Sequence, residues 1–223
     1  MTLNDRKARL CGSSTSARKG ELVARTIAKD HDAKRRLIRD RAAAVFAGSG
    51  FDKASMSLLA IDCGISKASI YHYYQSKDAL LFDILDNHLR NIAAKVGEVA
   101  SSNLEPVAKL DAMILSILLA YRGADDEHRL QFNSLSALPG AQQEELRGHQ
   151  RRIVDMVRKV LREVRPDTMG GDARRLQATT MSLFGMLNWF YMWNRDDSEQ
   201  ARIDYARLVA SLLKGGLGAI GKA

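Results

Sequence analysis

Two cysteines and three prolines are all that the 223 residues offer for cross-linking or interrupting the chain. Cys11 and Cys63 lie far apart, and neither sits in a metal-ligand spacing. No disulfide framework or zinc site is therefore expected, and reduced cytosolic thiols are the default. Long apolar runs are missing too. No stretch of about 18 apolar residues could span a bilayer, and no apolar segment near the N-terminus suggests a secretory signal. A cytoplasmic protein with no membrane partner is expected. Apolar/polar alternation, the mark of a half-buried strand, is absent. With proline confined to positions 106, 139 and 166 and alanine, leucine, arginine and methionine plentiful, the composition favours an all-α protein.

The sequence marks of catalysis are also lacking. There is no P-loop and no Gly-x-Ser-x-Gly elbow. Gly216-Leu-Gly218-Ala-Ile-Gly221 spells the dinucleotide fingerprint in letters only. A helical pattern precedes it and two residues follow, where a cofactor needs a strand before and a helix after. Glu145 and His149 stand four apart and Asp125 and His128 three apart, but no Glu-x-x-His pairs exist to build a di-iron bundle. No cofactor, no metal and no enzymatic activity are expected.

What is present is basic charge, unevenly placed. The formal net charge is +8. Residues 1–29 hold seven Lys/Arg against two Asp/Glu, and residues 30–77 hold eight against five. Residues 78–223 carry nineteen of each and are neutral. A polyanion-binding end joined to a neutral end is the arrangement this suggests.

The apolar pattern divides the chain in three. Residues 1–31 read as a basic N-terminal arm, partly disordered, although 20–31 could extend a helix. From Asp32, Leu37, Ile38, Ala42, Val45 and Phe46 recur at helical spacing until Gly48-Ser-Gly50 stops the run. A short helix over Ser55–Cys63 faces Met56, Leu59 and Ala60 inward. Gly64 ends it with the positive φ that a tight turn needs. Ser66 is placed to cap a helix of about seven residues anchored by Ile70, and Ser76 to cap a long one from Lys77 to about Ser101. Residues 32–78 thus form a small three-helix domain. Residues 79–223 form a larger helical one, with helices over about Pro106–Tyr121, Asp125–Leu138, Gln142–Val164, Asp172–Asn194 and from Ser198 to a fading end at Gly215-Gly216.

The second and third helices are joined as a helix-turn-helix, whose second member enters a DNA major groove front end first. Lys67, Ala68 and Ser69 hold that front. Small residues permit close approach, Ser69 can bond a base edge, and Lys67 can reach a guanine or a phosphate. Tyr71, His72 and Tyr73 follow with polar tips suited to phosphate oxygens. Lys77 opens the long helix, where free N–H groups and the dipole favour a phosphate. With Ser55 and Ser66 at the two caps, these residues make up the expected DNA-facing set. Tyr74 is read as a packing residue, and Arg35, Arg36 and Arg39 as either DNA contacts or a solvated basic face.

The run Gly64-Ile-Ser-Lys-Ala-Ser-Ile-Tyr-His-Tyr-Tyr-Gln-Ser-Lys-Asp-Ala-Leu-Leu81, with Phe51 and Leu59-Ala60 before it, resembles the signature of the tetracycline-repressor (TetR) family. The resemblance covers about residues 32–81. Tyr73 stands where the family often has His, and Tyr74 where it usually has Phe. The resemblance implies a homodimeric transcriptional regulator that binds palindromic double-stranded DNA. It also implies a ligand pocket among the later helices and dimerisation through the last two long ones.

Residues 181–193, Met-Ser-Leu-Phe-Gly-Met-Leu-Asn-Trp-Phe-Tyr-Met-Trp, are apolar nearly all round and hold both tryptophans. Such a helix is buried on more than one side, by core and by an interface or ligand. Gly185-Met-Leu-Asn-Trp189, with Trp193 beyond it, is similar to a branch of the family whose repressors respond to acyl-CoA thioesters. The expected effector set is Phe184, Asn188, Trp189, Met192 and Trp193. Arg147 and Arg151, with Arg152, lie on a helix that could supply cations for the effector's phosphates. Two other readings stay open on residues alone: a sequence-tolerant nucleoid-type binder driven by the basic arm, and a helical catalytic protein.

Overall fold

The computed structural model describes the backbone of residues 12–219 and side chains from Lys29 to Leu217. Every regular element among the described residues is helical: α1 (Gly12–Ser49), α2 (Met56–Cys63), α3 (Lys67–Tyr73), α4 (Lys77–Ala100), α5 (Pro106–Tyr121), α6 (Asp125–Asn133), α7 (Gly140–Val164), α8 (Pro166–Met169), α9 (Ala173–Trp193) and α10 (Glu199–Ala219).

Three serines punctuate the N-terminal domain. The hydroxyls of Ser55, Ser66 and Ser76 accept hydrogen bonds from the backbone N–H groups of Leu58, Ser69 and Ala79. Each satisfies one of the donors a helix start leaves open. Gly64 closes α2 at φ +64°. Its N–H reaches back to Ile61, and that of Ile65 to Ala60, a left-handed cap that costs glycine nothing sterically. The turn this creates crosses α3 over α2 and drives Ile70 fully into the core. Phe46 and Phe51 meet edge to face at 5.3 Å beneath them.

The first helix differs from its expected start. It begins at Gly12, so residues 12–31 extend it where an arm was the expectation. The stretch has no proline and carries three alanines, two arginines and two lysines, all strong helix formers. Residues 1–11 lie outside the described part. Leu37 is exposed on this helix, and Ile38, Ala42, Ala43 and Phe46 form its buried stripe.

The larger domain is built around α4, α5 and α7, which bury Leu85, Leu89, Val96, Leu110, Ile117, Val157 and Leu161 between them. Pro106 occupies the first turn of α5, where its missing N–H is no loss. The helix expected over 125–138 breaks at Asn133, followed by a 3-10 turn over Leu135–Ala137. Asn133 and Ser134 offer side-chain bonds that compete with the helical ladder. A short α8 fills the gap before α9. The last helix passes through Gly215 and Gly216 to Ala219 instead of fading. No described helix is long and apolar enough to cross a membrane.

One clasp between the small domain and α4 is built on Asp83. The Asp83 carboxylate accepts from Arg35 of α1 at 2.8 Å and from the Tyr74 hydroxyl at 2.6 Å. Arg39 lies 4.0 Å from the same carboxylate. Burial, then the bond to Asp83, pushes the Tyr74 hydroxyl's pKa upward, so it stays a donor. Tyr74 is therefore a packing residue with a polar handle. Arg35 and Arg39 serve this joint.

Candidate nucleic-acid interface and ligand cavity

With Ile70 pinned inward, the opposite side of α3 faces solvent. Ser66, Lys67, Ala68, Ser69, Tyr71 and His72 are all exposed there, on a helix too short to bury more than one anchor. The Ser66 and Ser69 hydroxyls share a 2.8 Å hydrogen bond. This orients them and leaves one hydroxyl proton free for an outside acceptor. The Lys67 ammonium sits 6.0 Å from the centroid of the Tyr71 ring, at the outer edge of a cation–π contact. The structure thus leaves the expected groove-facing residues of α3 exposed, and Ser55 at the head of α2 is exposed as well.

Two members of the expected set are placed differently. The Lys77 ammonium donates to the carbonyls of Phe51 at 2.6 Å, Ala54 at 3.2 Å and Asp52 at 3.3 Å. It also lies 4.3 Å from the Phe51 ring centroid. An ammonium has three N–H bonds, and all three are used. The phosphate contact expected of Lys77 gives way to a staple that holds the α1–α2 turn against the start of α4. Tyr73 is half-buried, with its ring 4.7 Å from that of His31, so it projects less than Tyr71.

Helix α9 lines a cavity of about 610 Å³, open to solvent, with Phe184, Asn188, Trp189 and Met192, and α6 contributes the exposed Arg129 and Phe132 to its rim. A second cavity of about 230 Å³ lies deeper, against Leu89 and Ile92 of α4, Tyr121 of α5 and Gln150 and Ile153 of α7. Phe132, Met181, Phe184 and Asn188 line both, so the two adjoin through these side chains. The Gln131 side-chain oxygen, at the inner cavity, is buried without a hydrogen-bond partner.

Behind this wall sits a polar cluster in an otherwise apolar core. The Tyr121 hydroxyl donates to Asn188 Oδ1 at 2.8 Å, and His128 Nε2 lies 3.2 Å from the Asn188 carbonyl. The Tyr121 and His128 rings are 4.2 Å apart, and His88 of α4 stacks on Tyr121 at 6.1 Å. His88 Nε2 and His128 Nδ1 are buried without partners. Burial, with His128 close by, lowers the His88 pKa to about 3. Burial lowers that of His128 to about 4. Both rings are neutral at pH 7. Burial likewise pushes the Tyr121 hydroxyl upward.

The expected cations are elsewhere. Arg147 donates to Gln143 at 2.9 Å and Arg151 to Glu144 at 2.6 Å along the exposed face of α7. Arg152 donates to His149 Nδ1 at 2.6 Å. None lines either cavity, because the face of α7 that packs on α4 and α9 is its apolar one. Trp193 also lies off the cavity, edge-on to Phe190 and Tyr205 at 5.2 and 5.3 Å. Arg129, Phe132, Tyr121 and Gln131 are cavity residues that sequence reasoning missed. A basic residue three before an aromatic on a short, otherwise acidic helix was the one signal available.

Asp86, Glu145 and His149 bring potential metal-ligating atoms within 4.8 Å of one another. The bonding pattern is that of an ion-pair network. Arg90 lies 2.8 Å from Asp86. Because Arg152 donates into His149 Nδ1, the proton of neutral His149 is on Nε2, directed at Asp86 at 2.8 Å. The group ties α4 to α7.

Comparison with known proteins agrees with this architecture. Residues 38–84 match the family model described as bacterial regulatory proteins, tetR family. Residues 103–217, just over half the chain, match that of the tetracyclin repressor-like C-terminal domain. A crystal structure of a TetR-family transcriptional regulator from Bordetella parapertussis shares 32% identity at a TM-score of 0.76, over 80% of this chain and 93% of that one. AibR, solved in complex with isovaleryl coenzyme A and operator DNA, shares the fold at 22% identity and a TM-score of 0.65, over 84% of this chain and 97% of its own. The HTH-type transcriptional repressor KstR2 of Rhodococcus jostii is 30% identical over 95 residues, 43% of this chain and 45% of that protein. An HTH-type transcriptional repressor of Mycobacterium tuberculosis is 38% identical over 69 residues, 30% of this chain and 37% of that protein. The chain spans less than half the length of these two curated relatives.

Proposed function

Since the chain belongs to the TetR family of bacterial regulatory proteins, we propose that it is a ligand-responsive DNA-binding repressor, released from a palindromic operator by a small, largely apolar effector. The observation that carries this reading is the division of labour on α3. One anchor, Ile70, is fully buried, and the whole opposite side is exposed, small at its front and aromatic at its back. Ala68 and Ser69 read bases, with Lys67 and Ser66 beside them. Tyr71, His72, Tyr73 and Ser55 hold phosphates. Position is set by the phosphate contacts and sequence by the front of the helix.

Dimerisation through α9 and α10 completes the reading. Trp189, Leu208 and Leu212 are all more than half exposed. A Cβ added at Gly185, Gly215 or Gly216 would meet nothing within the chain. A glycine inside a helix costs about 1 kcal/mol relative to alanine. Nothing in the protomer offsets that, whereas close approach of a second copy's helices would. Two-fold symmetry then implies half-sites about one helical turn apart.

The effector cavity adjoins α4 through Leu89 and Ile92, so occupancy bears directly on the helix that carries the DNA-binding domain. A ligand that binds more tightly when the two α3 helices are wrongly spaced shifts the population away from DNA. An acyl-CoA-type effector fits the apolar walls, and AibR offers a precedent for the fold. Selection of bound duplexes from a random pool tests the proposal. A two-fold symmetric consensus supports it, and binding without any preference refutes it in favour of a nucleoid-type protein.

A further inference from the structure

We infer that the N-terminal half of α1 is a second DNA-contacting element, a basic helical stripe that grips the duplex backbone flanking each half-site; the inference goes beyond the α3 contacts and rests on the regulator reading above. Helix α1 spans Gly12–Ser49, and the first buried side chain described on it is Ile38. From Lys29 to Leu37 every residue is exposed, so about two and a half turns lie outside the core. A largely polar helix with nothing packed on it has little to hold it in water. Its own charges do not help. Arg25 and Lys29 stand four apart, a like-charge pair that weakens a helix. The stabilising partner therefore comes from outside the protomer.

The helical register says what that partner is. At 3.6 residues per turn, positions 18, 25, 29 and 36 fall within about 40° of one another around the helix. They are Arg18, Arg25, Lys29 and Arg36. Lys29 and Arg36 are exposed, whereas their neighbours Arg35 and Arg39 lie at Asp83. Asp32, at the edge of the basic face, lies against His31 at 3.8 Å. The four cations cover roughly 27 Å of helix, the length of about eight base pairs, and a duplex offers one negative charge per about 1.7 Å of its axis. Residues 12–36 hold only three large apolar residues, Leu22, Val23 and Ile27, short of the anchor set that a protein groove or a membrane surface needs. The location agrees. The His31 ring lies 4.7 Å from that of Tyr73 and 6.3 Å from that of His72. Helix α1 thus leaves the domain beside the back of α3, the end assigned to phosphates, and carries its stripe outward from there.

The test uses the full chain, its selected consensus site and two duplexes. One ends at the consensus, and the other carries about ten further base pairs on each side, longer than the stripe. The parent binds the longer duplex at least tenfold more tightly at about 100 mM salt and shields the flanking backbone from hydroxyl radicals. Arg25→Gln combined with Lys29→Gln removes most of that advantage and leaves the consensus and the affinity for the short duplex unchanged. It also lowers the salt slope on the longer duplex by about 3–4 for the dimer, at about 0.9 per phosphate contact. Glutamine matches the helix propensity of the residues it replaces, so the helix itself is kept. Lys19→Gln combined with Lys34→Gln removes the same charge from other faces of α1 and retains the advantage. The inference is overturned if the parent binds both lengths alike, or if the Arg25 and Lys29 double variant keeps the advantage. It is overturned equally if the Lys19 and Lys34 double variant loses as much, since net charge alone then explains the effect. Binding to phosphatidylserine vesicles with no gain from the flanks assigns the stripe to a membrane and also overturns it. Protein that selects a consensus yet ignores flank length refutes the extension alone, and protein that selects no sequence refutes the regulator reading.

Discussion

Lowering the pH from 7.5 to 5.0 should destabilise this protein through His88 and His128. Both are almost fully buried, with one ring nitrogen each left without a partner. Their folded pKa values lie near 3 and 4 against 6.5 for a free imidazole. The folded state therefore holds them neutral, and the unfolded state takes up their protons first. Stability from this source is complete above pH 6.5 and falls as the pH drops from there toward 4 and then 3. At pH 5.0 the unfolded form gains about 2 kcal/mol per histidine, on the order of 4 kcal/mol for the pair. That is a large fraction of the roughly 5–15 kcal/mol that holds a typical domain folded. Urea unfolding at fixed protein concentration, followed by tryptophan emission, measures it. Carboxylates and other histidines also titrate in this range, so the decisive quantity is a difference. His88→Leu should cost little at pH 7.5, since it removes an unpartnered ring nitrogen. It should also remove about half of the acid sensitivity assigned to the pair. If parent and His88→Leu lose the same stability between pH 7.5 and 5.0, the argument is refuted. An imidazole titration of His88 near 6.5 by NMR would refute it equally.

Three further outcomes check other parts of the structure. Lys77→Met should lower stability by about 2 kcal/mol, because three loop carbonyls lose a charged donor. That corresponds to a melting point some 4–8 °C lower, while the salt slope of DNA binding stays unchanged; a shallower slope would restore Lys77 as a phosphate contact. Gly64→Ala should cost about 1–2 kcal/mol, the penalty for a Cβ at φ +64°, and an unchanged melting point would contradict the cap geometry. In binding selections, Ser69→Ala should relax preference at a single base position. Tyr71→Ala should weaken binding to all sequences alike, and a change of consensus with Tyr71→Ala would reverse the assigned roles.

Much of the N-terminal domain was legible because local chemistry decides it. Serine caps, a glycine that must take positive φ and one apolar anchor per short helix are all written within a few residues of where they act. Ile70, Gly64, Ser66 and Ser76 fall where the pattern places them. The ammonium of Lys77 was not legible, since its partners are backbone carbonyls more than twenty residues earlier in the chain. Nothing in a sequence marks a carbonyl as needing a donor. In the larger domain, α9 announced itself by being apolar all round, and four of its five expected effector residues line the cavity. The cavity's other walls come from α4, α5, α6 and α7, whose contributions depend on how five helices cross. Arg129 and Arg151 look equally solvated in sequence. Only packing reveals that one stands at the cavity wall and the other pairs with Glu144.

The two clasps that bind the small domain to α4 have a mechanical meaning. Lys77 staples the α1–α2 turn, and Asp83 gathers Arg35 and Tyr74, so the helix and the DNA-binding domain move as one stiff body. Helix α4 has 24 residues and is about 36 Å long at 1.5 Å per residue. A tilt of about 5° about its far end carries Lys77 through about 3 Å of arc over that length. In the dimer proposed above, the two-fold axis would repeat the tilt in the second copy, and the separation of the two α3 helices would change by up to about 6 Å, against a spacing of about 3.4 Å between successive base pairs. On the proposed reading, such a joint would make the helix a lever, and a displacement at Leu89 and Ile92 no larger than a rotamer change would put both α3 helices out of register with a groove.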